Sequence, residues 1–178
     1  MLRKILVVLA ALLAVFVLLV ARQPDEFRVT RSATISAPAD RVFAEVNDFH
    51  RWTAWSPFEK DPAMARTFAG QPTGTGAIYE WSGNRDVGAG RSTIVDSRPN
   101  DLIRIKLEFL RPFEATNTAE FSFVPRGEQT SVTWTLYGRN TLLSKAIGLF
   151  MSMDAMVGTE FENGLGRLKA VVESSSAG

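Results

Sequence analysis

Apolar residues follow three rhythms along this chain: unbroken from Ile5 to Ala21, alternating with polar residues over most of Phe27 to Arg139, and recurring every three or four positions from Thr141 to Glu173. In the third stretch Leu143, Ile147, Phe150, Met153, Val157, Phe161, Leu165, Leu168 and Val172 draw one stripe down a helix. Gly148, Gly158, Gly164 and Gly166 weaken that helix, and Ser152 beside Asp154 is a helix-start signal. The spacing therefore predicts a break near Met151–Ser152, with a short helix before it and a longer one after. Met151, Met153 and Met156 cluster at this break, and methionine is a flexible filler of irregular apolar space.

The alternating region reads as antiparallel strands with turns between them. Phe27, Val29, Ala33 and Ile35 share one face of the first, and Pro38 then opens a short helix carrying Val42, Phe43 and Val46. Later strands carry Ala77, Tyr79 and Trp81, then Arg91 to Ser97, then Ile103, Ile105, Leu107 and Phe109. Two more carry Phe113 to Phe123, with Asn117 as the polar exception on an apolar face, and Val132, Trp134 and Leu136. Asn140 is placed to cap the helical tail. Hairpin-linked strands followed by late helices define an α+β fold, a curved antiparallel sheet of six to seven strands gripping a long C-terminal helix.

The unbroken run of 17 residues follows Arg3 and Lys4 and precedes Arg22 and Pro24. At 1.5 Å per residue it spans about 25 Å, the short end of what crosses a bilayer. A cleaved signal sequence needs a small–x–small site, and Leu19-Val20-Ala21 supplies only the second small residue, which favours an uncleaved anchor. The expected division is an anchor (or signal sequence) over 1–21, a linker over 22–26, a domain over 27–174 and a disordered tail over 175–178. Arg3 and Lys4 favour a cytoplasmic N-terminus, which puts the domain outside, on the periplasmic side of a bacterial-type membrane.

Composition narrows the chemistry. The formal charge of +1 comes from 20 basic and 19 acidic residues spread along the chain, so no basic patch suggests nucleic acid. Cysteine is absent, which excludes disulfides, thiolate metal sites and cysteine nucleophiles, and His50 is the single histidine. No serine motif surrounds His50, and no carboxylates fall at metal-ligand spacing, so no catalytic residue, metal or cofactor is assigned. Gly88-Ala89-Gly90 fails as a phosphate loop because a strand follows it where a helix is needed; Gly88 and Gly90 fall on one strand face, where another backbone or a ligand can come close.

What remains is a cavity. Tyr79, Trp81, Asn117 and Trp134 face inward by alternation, and Met153, Met156 and Val157 face them from the helix, an apolar wall with few polar handles, as ligand pockets are built. His50-Arg51-Trp52-Thr53-Ala54-Trp55-Ser56-Pro57-Phe58 is too irregular for a strand and too bulky for water. Its Trp52, Trp55 and Phe58 read as a lid or plug over one end.

Several short motifs occur in order: Ile35-Ser36-Ala37-Pro38 leading to Val42-Phe43, Trp55-Ser56-Pro57-Phe58, Ser97-Arg98-Pro99-Asn100, Pro112-Phe113, Thr130-Ser131-Val132-Thr133-Trp134 and Phe161-Glu162-Asn163-Gly164-Leu165. Their order and spacing resemble the polyketide cyclase/dehydrase and lipid-transport branch of the START-like (SRPBCC) superfamily, from about Phe27 to Glu173. The resemblance implies a helix-grip fold with seven strands and a deep hydrophobic cavity. It also implies a choice of functions, since the superfamily holds lipid carriers, cyclases, hydroxylase subunits and stress-response binders. No catalytic motif of its enzymes is matched here, and the membrane segment is a departure from the soluble cyclases.

Three readings follow. The first is a membrane-tethered module, non-enzymatic, binding a hydrophobic small molecule or lipid. The second is a cyclase-like enzyme on an aromatic polyketide-like substrate, with Tyr79, Asn117 or His50 polarising or deprotonating it. The third is a protein-interaction module using Trp52 to Phe58.

Overall fold

The computed structural model describes residues 1–175. Helix α1, Leu2–Ala21, is among the described residues the one unbroken helix long and apolar enough to cross a membrane, with a length of about 30 Å at 1.5 Å per residue. Strand β1, Glu26–Ile35, follows, then α2, Ala39–Asn47, and a 3-10 turn, Phe49–Ala54. Next come β2 (Ala65–Gly70), β3 (Ala77–Ser82), β4 (Ala89–Arg98), β5 (Leu102–Arg111), β6 (Ala115–Arg126) and β7 (Gln129–Arg139). Helices α3, Leu142–Gly148, and α4, Met153–Ser174, complete the chain.

The strands form one antiparallel sheet in the order β1-β7-β6-β5-β4-β3-β2. Strands β2 to β7 are successive hairpins, while β1 pairs with β7, Val29 opposite Leu136. The chain therefore has to pass from one sheet edge to the other between β1 and β2, and it does so through α2 and the 3-10 turn. Helix α4 returns along β1. Its Phe161, Leu165, Leu168 and Val172 are buried with Val29, Ile94, Ile105, Phe121 and Val132 of the sheet in a single core. This is the helix-grip architecture.

Two helix positions explain how closely α4 approaches the sheet. A Cβ on Gly164 would stand 2.8 Å from the ring of Pro57 and 2.9 Å from that of Trp134, and one on Gly158 would meet the Arg31 guanidinium at 2.2 Å. Glycine is kept there despite its helix cost because those neighbours fill the missing side chain's space. On the far side Arg31 of β1 reaches Asp154 Oδ1 at 2.8 Å and Glu162 Oε1 at 2.6 Å, clamping the helix to the sheet edge.

The break at Met151–Ser152 is present: Ser152 caps α4 by accepting from the Ala155 N–H, and the axes of α3 and α4 diverge by 83°. That bend turns α3 off the sheet, so the first part of the predicted stripe is not core. Leu143, Ile147 and Phe150 are exposed, Met153 and Val157 half-buried, and only from Phe161 onward is the stripe covered. Three expectations need correcting. Strand β2, absent from the alternating pattern, is an additional strand, an exposed edge without amphipathic alternation. The helical tail is capped by Thr141, since the Asn140 side chain donates instead to the Pro24 carbonyl. Gly88 lies before β4, with a φ of +63° and the Arg111 carbonyl against it, and only Gly90 is in the strand. The tail expected from 175 lies, apart from Ser175, outside the described residues.

Candidate ligand site

The sheet face that meets α4 changes character along its strands. At one end its side chains are buried: Val29, Tyr79, Ile105, Ala119, Leu136 and their successors. At the other end, where β1 begins and β7 ends, Phe27, Trp81, Leu107, Phe109 and Asn117 are only half-buried. The Met153 and Val157 side chains of α4 are half-buried as well. The grip is thus closed over half of its length and open over the rest.

Aromatic rings close the first half. Trp134 stacks on Phe161 at 4.0 Å between centroids and on Phe121 at 4.8 Å from its other side, with Trp55 and Phe58 edge-on. The volume expected around Trp134 is filled, because alternation tells which way a side chain points and not what stands opposite it. Three of the four indole N–H groups have backbone acceptors: Trp52 on Val46, Trp55 on Glu45 and Trp81 on Val87. Trp134 Nε1 is buried and, among the described residues, has no partner.

The Trp52 to Phe58 segment is a plug whose two tryptophans are core, with Trp55 fully enclosed; of its three aromatics Phe58, 41% exposed, reaches the surface. Its indoles offer no face to a protein partner. Just beyond it lies a polar cluster that hydrophobic patterning passed over. Tyr79 Oη donates to Glu59 Oε1 at 2.7 Å, and Arg66 Nε donates to the other carboxylate oxygen at 2.8 Å. Burial, and after it the bond to Glu59, pushes the Tyr79 phenol up from its ordinary value, so it stays a neutral donor. The ring itself stacks between Phe68 and Trp81. The signal for Glu59 was faint: a carboxylate directly after an aromatic plug, with Arg66 seven residues on.

Of the remaining predicted residues, Trp81 lies over Gly90, where a Cβ would come within 2.4 Å of the indole. Asn117 lies over Gly138 in the same way, its Oδ1 2.2 Å from where a Cβ would be, and among the described residues its amide has no hydrogen-bond partner. Trp81, Asn117, Met153 and Val157 thus belong to the open half, Tyr79 to its inner limit and Trp134 to the closed half. Met156 is exposed on α4. His50 lies against the β2 edge of the sheet, half-exposed, stacked on Phe68 at 4.1 Å and bonded through Nδ1 to Asp48 Oδ1 at 2.9 Å.

The surface carries two grooves. One of about 220 Å³ runs between His50, Phe68 and Pro72. The other, about 550 Å³, lies where β1, β6 and β7 meet, between Phe27, Arg28, Asn117, Tyr137 and Arg139, with the Arg28 guanidinium 4.7 Å from the Tyr137 ring. Neither lies between the sheet and α4, the place expected for the deep cavity. Among the described residues no group of three or more potential ligands could hold a metal ion.

A seven-stranded antiparallel sheet gripping a C-terminal helix, with half of its apolar face left open, defines the helix-grip class. The chain belongs to the polyketide cyclase / dehydrase and lipid transport family, whose model matches residues 26–173. No protein with a curated description matches it. Solved structures share the fold at low identity. A protein of unknown function from Staphylococcus aureus has a TM-score of 0.65 at 14% identity, covering 89% of this chain and 99% of its own. A Thermobifida fusca protein scores 0.60 at 22%, covering 82% and 92%. The di-domain ARO/CYC StfQ of the steffimycin biosynthetic pathway scores 0.63 at 15%, covering 86% of this chain and 52% of its own.

Proposed function

We propose that this protein is a membrane-tethered, non-enzymatic module that takes up a hydrophobic small molecule or lipid against the open half of its sheet. Residues 1–21 are the anchor, 22–26 the linker and 27–174 the ligand-binding domain, on the periplasmic side. The observation that carries the reading is the half-buried apolar face of Trp81, Leu107, Phe109, Met153 and Val157 surrounding an Asn117 amide that has no hydrogen-bond partner among the described residues. Apolar walls supply affinity by area removed from water, and a single amide orients one polar atom of the ligand.

A cyclase-like enzyme is the second reading, and the Glu59–Tyr79–Arg66 cluster favours it, since it holds a neutral phenol beside a carboxylate at the inner limit of the open face. The substitution Asn117→Leu separates the two. A carrier keeps its uptake of an apolar fluorescent probe, while an enzyme that polarises substrate through the amide loses turnover far more than affinity. Native mass spectrometry of protein extracted gently from its membrane, showing neither co-purified lipid nor uptake of added apolar probes, would sink the carrier.

A further inference from the structure

Helix α3 carries an exposed apolar face in an unusual position. From Thr141 to Ser152 the one charged residue is Lys145, and it points back at the protein, its Nζ bonded to Asp25. At 100° per residue Leu143 and Ile147 lie opposite Lys145, and together with Leu142 and with Phe150 just past the helix end they are exposed, Leu142 at 76% and Phe150 at 84%. Met151 extends this patch. Leu110 and Phe113, also exposed, cap the β5–β6 hairpin at the same end of the sheet, where Asn117 of β6 pairs with Gly138 of β7.

The position of α3 relative to α1 decides what covers it. Only Arg22 to Asp25 separate α1 from β1, a span of at most about 14 Å even fully extended. This link is fastened to the base of α3: the Asn140 N–H donates to the Asp25 carbonyl at 2.8 Å, the Asn140 side chain to the Pro24 carbonyl at 3.0 Å, and Lys145 to the Asp25 carboxylate. Helix α3 also packs beside the end of α1, where Val20 is buried. A chain whose α1 spans a bilayer therefore holds α3 at that bilayer's surface.

We propose that α3, together with the Leu110–Phe113 hairpin tip, lies in the interface of the same bilayer that holds α1, so that the open half of the grip faces the lipid. This rests on the anchor reading above. Leu142, Leu143, Ile147 and Phe150 enter the acyl boundary, and a lipid reaches Asn117 and Trp81 without crossing water. The apolar face is explained by continuity with α1, while Lys145 stays out of the lipid because Asp25 holds it.

The absence of cysteine permits a direct test on the full chain in proteoliposomes of neutral phosphatidylcholine. Single substitutions Val8→Cys, Leu143→Cys, Phe150→Cys and Glu128→Cys, each labelled with an environment-sensitive fluorophore, are read against lipids carrying quenchers at graded depths. The expected result is deep quenching at 8, quenching at 143 and 150 strongest about 5–10 Å below the headgroups, and none at 128 in the β6–β7 turn. Quenching at 8 with none at 143 and 150 overturns the docking and leaves the anchor standing. Emission at 143 and 150 shifted to the blue without lipid quenching assigns the patch to a protein partner or second copy, and equally overturns it. No quenching at 8 removes the anchor reading and the docking with it.

Discussion

Two glycines of α4, two residues apart, should respond in opposite directions to the same substitution. Gly166 has nothing within 4 Å of its missing Cβ, so Gly166→Ala recovers helix propensity and stabilises by about 0.5–1 kcal/mol. Gly164 gains the same propensity but drives a methyl against Pro57 and Trp134 at under 3 Å, and overpacking of about 1–3 kcal/mol outweighs it. Denaturant midpoints measured side by side check the pair, and a stabilising Gly164→Ala would show that the plug yields. From sequence these glycines read alike, as costs to the helix, because spacing holds no record of what a neighbouring segment presses against them. Glu59 escaped notice for the same reason: its partners Arg66 and Tyr79 are 7 and 20 residues away, and only the folded plug brings them together.

At the scale of elements, the clamp between β1 and α4 carries a pH dependence. Hydrogen bonds from Arg31 hold the Asp154 carboxyl below its ordinary value of 3.8. A carboxyl lowered in the folded protein binds fewer protons than in the unfolded chain across that window, so its stabilisation is present above 3.8 and disappears as pH falls through the lower folded value. The melting temperature of the wild type should therefore fall more steeply than that of Asp154→Asn as pH drops below about 4. Glu173, lowered chiefly by the Ser36 N–H, titrates in both chains and cancels from the comparison. Parallel curves would mean that the exposed clamp contributes nothing. Most of these elements were legible in the pattern: β1 and β3 to β7 from alternation, and the bend from Ser152 and Asp154. Strand β2 was not, because an edge strand exposed on both faces has no buried period to display.

For the molecule as a whole, the closed and open halves of the grip should separate stability from uptake. Phe161→Ala removes the ring stacked on Trp134 in the closed half and should cost about 3–5 kcal/mol, as truncation of a buried aromatic does. The open half lies away from that stack, so a protein still folded at low temperature should take up an apolar probe as before. Val157→Trp does the reverse. Val157 is half-buried on the helix face that borders the open half, so the larger ring finds room outward, leaves the melting temperature near the wild type, and occupies the volume a ligand needs. Fluorescence titration with an apolar probe, beside thermal melts of both variants, measures the two effects separately. Uptake lost in Phe161→Ala and kept in Val157→Trp would move the site into the closed half, under Trp134 and its unpartnered N–H. The family pattern marked the grip but not this division, because inward-facing residues share one period in both halves and differ only in whether α4 and the plug reach over them.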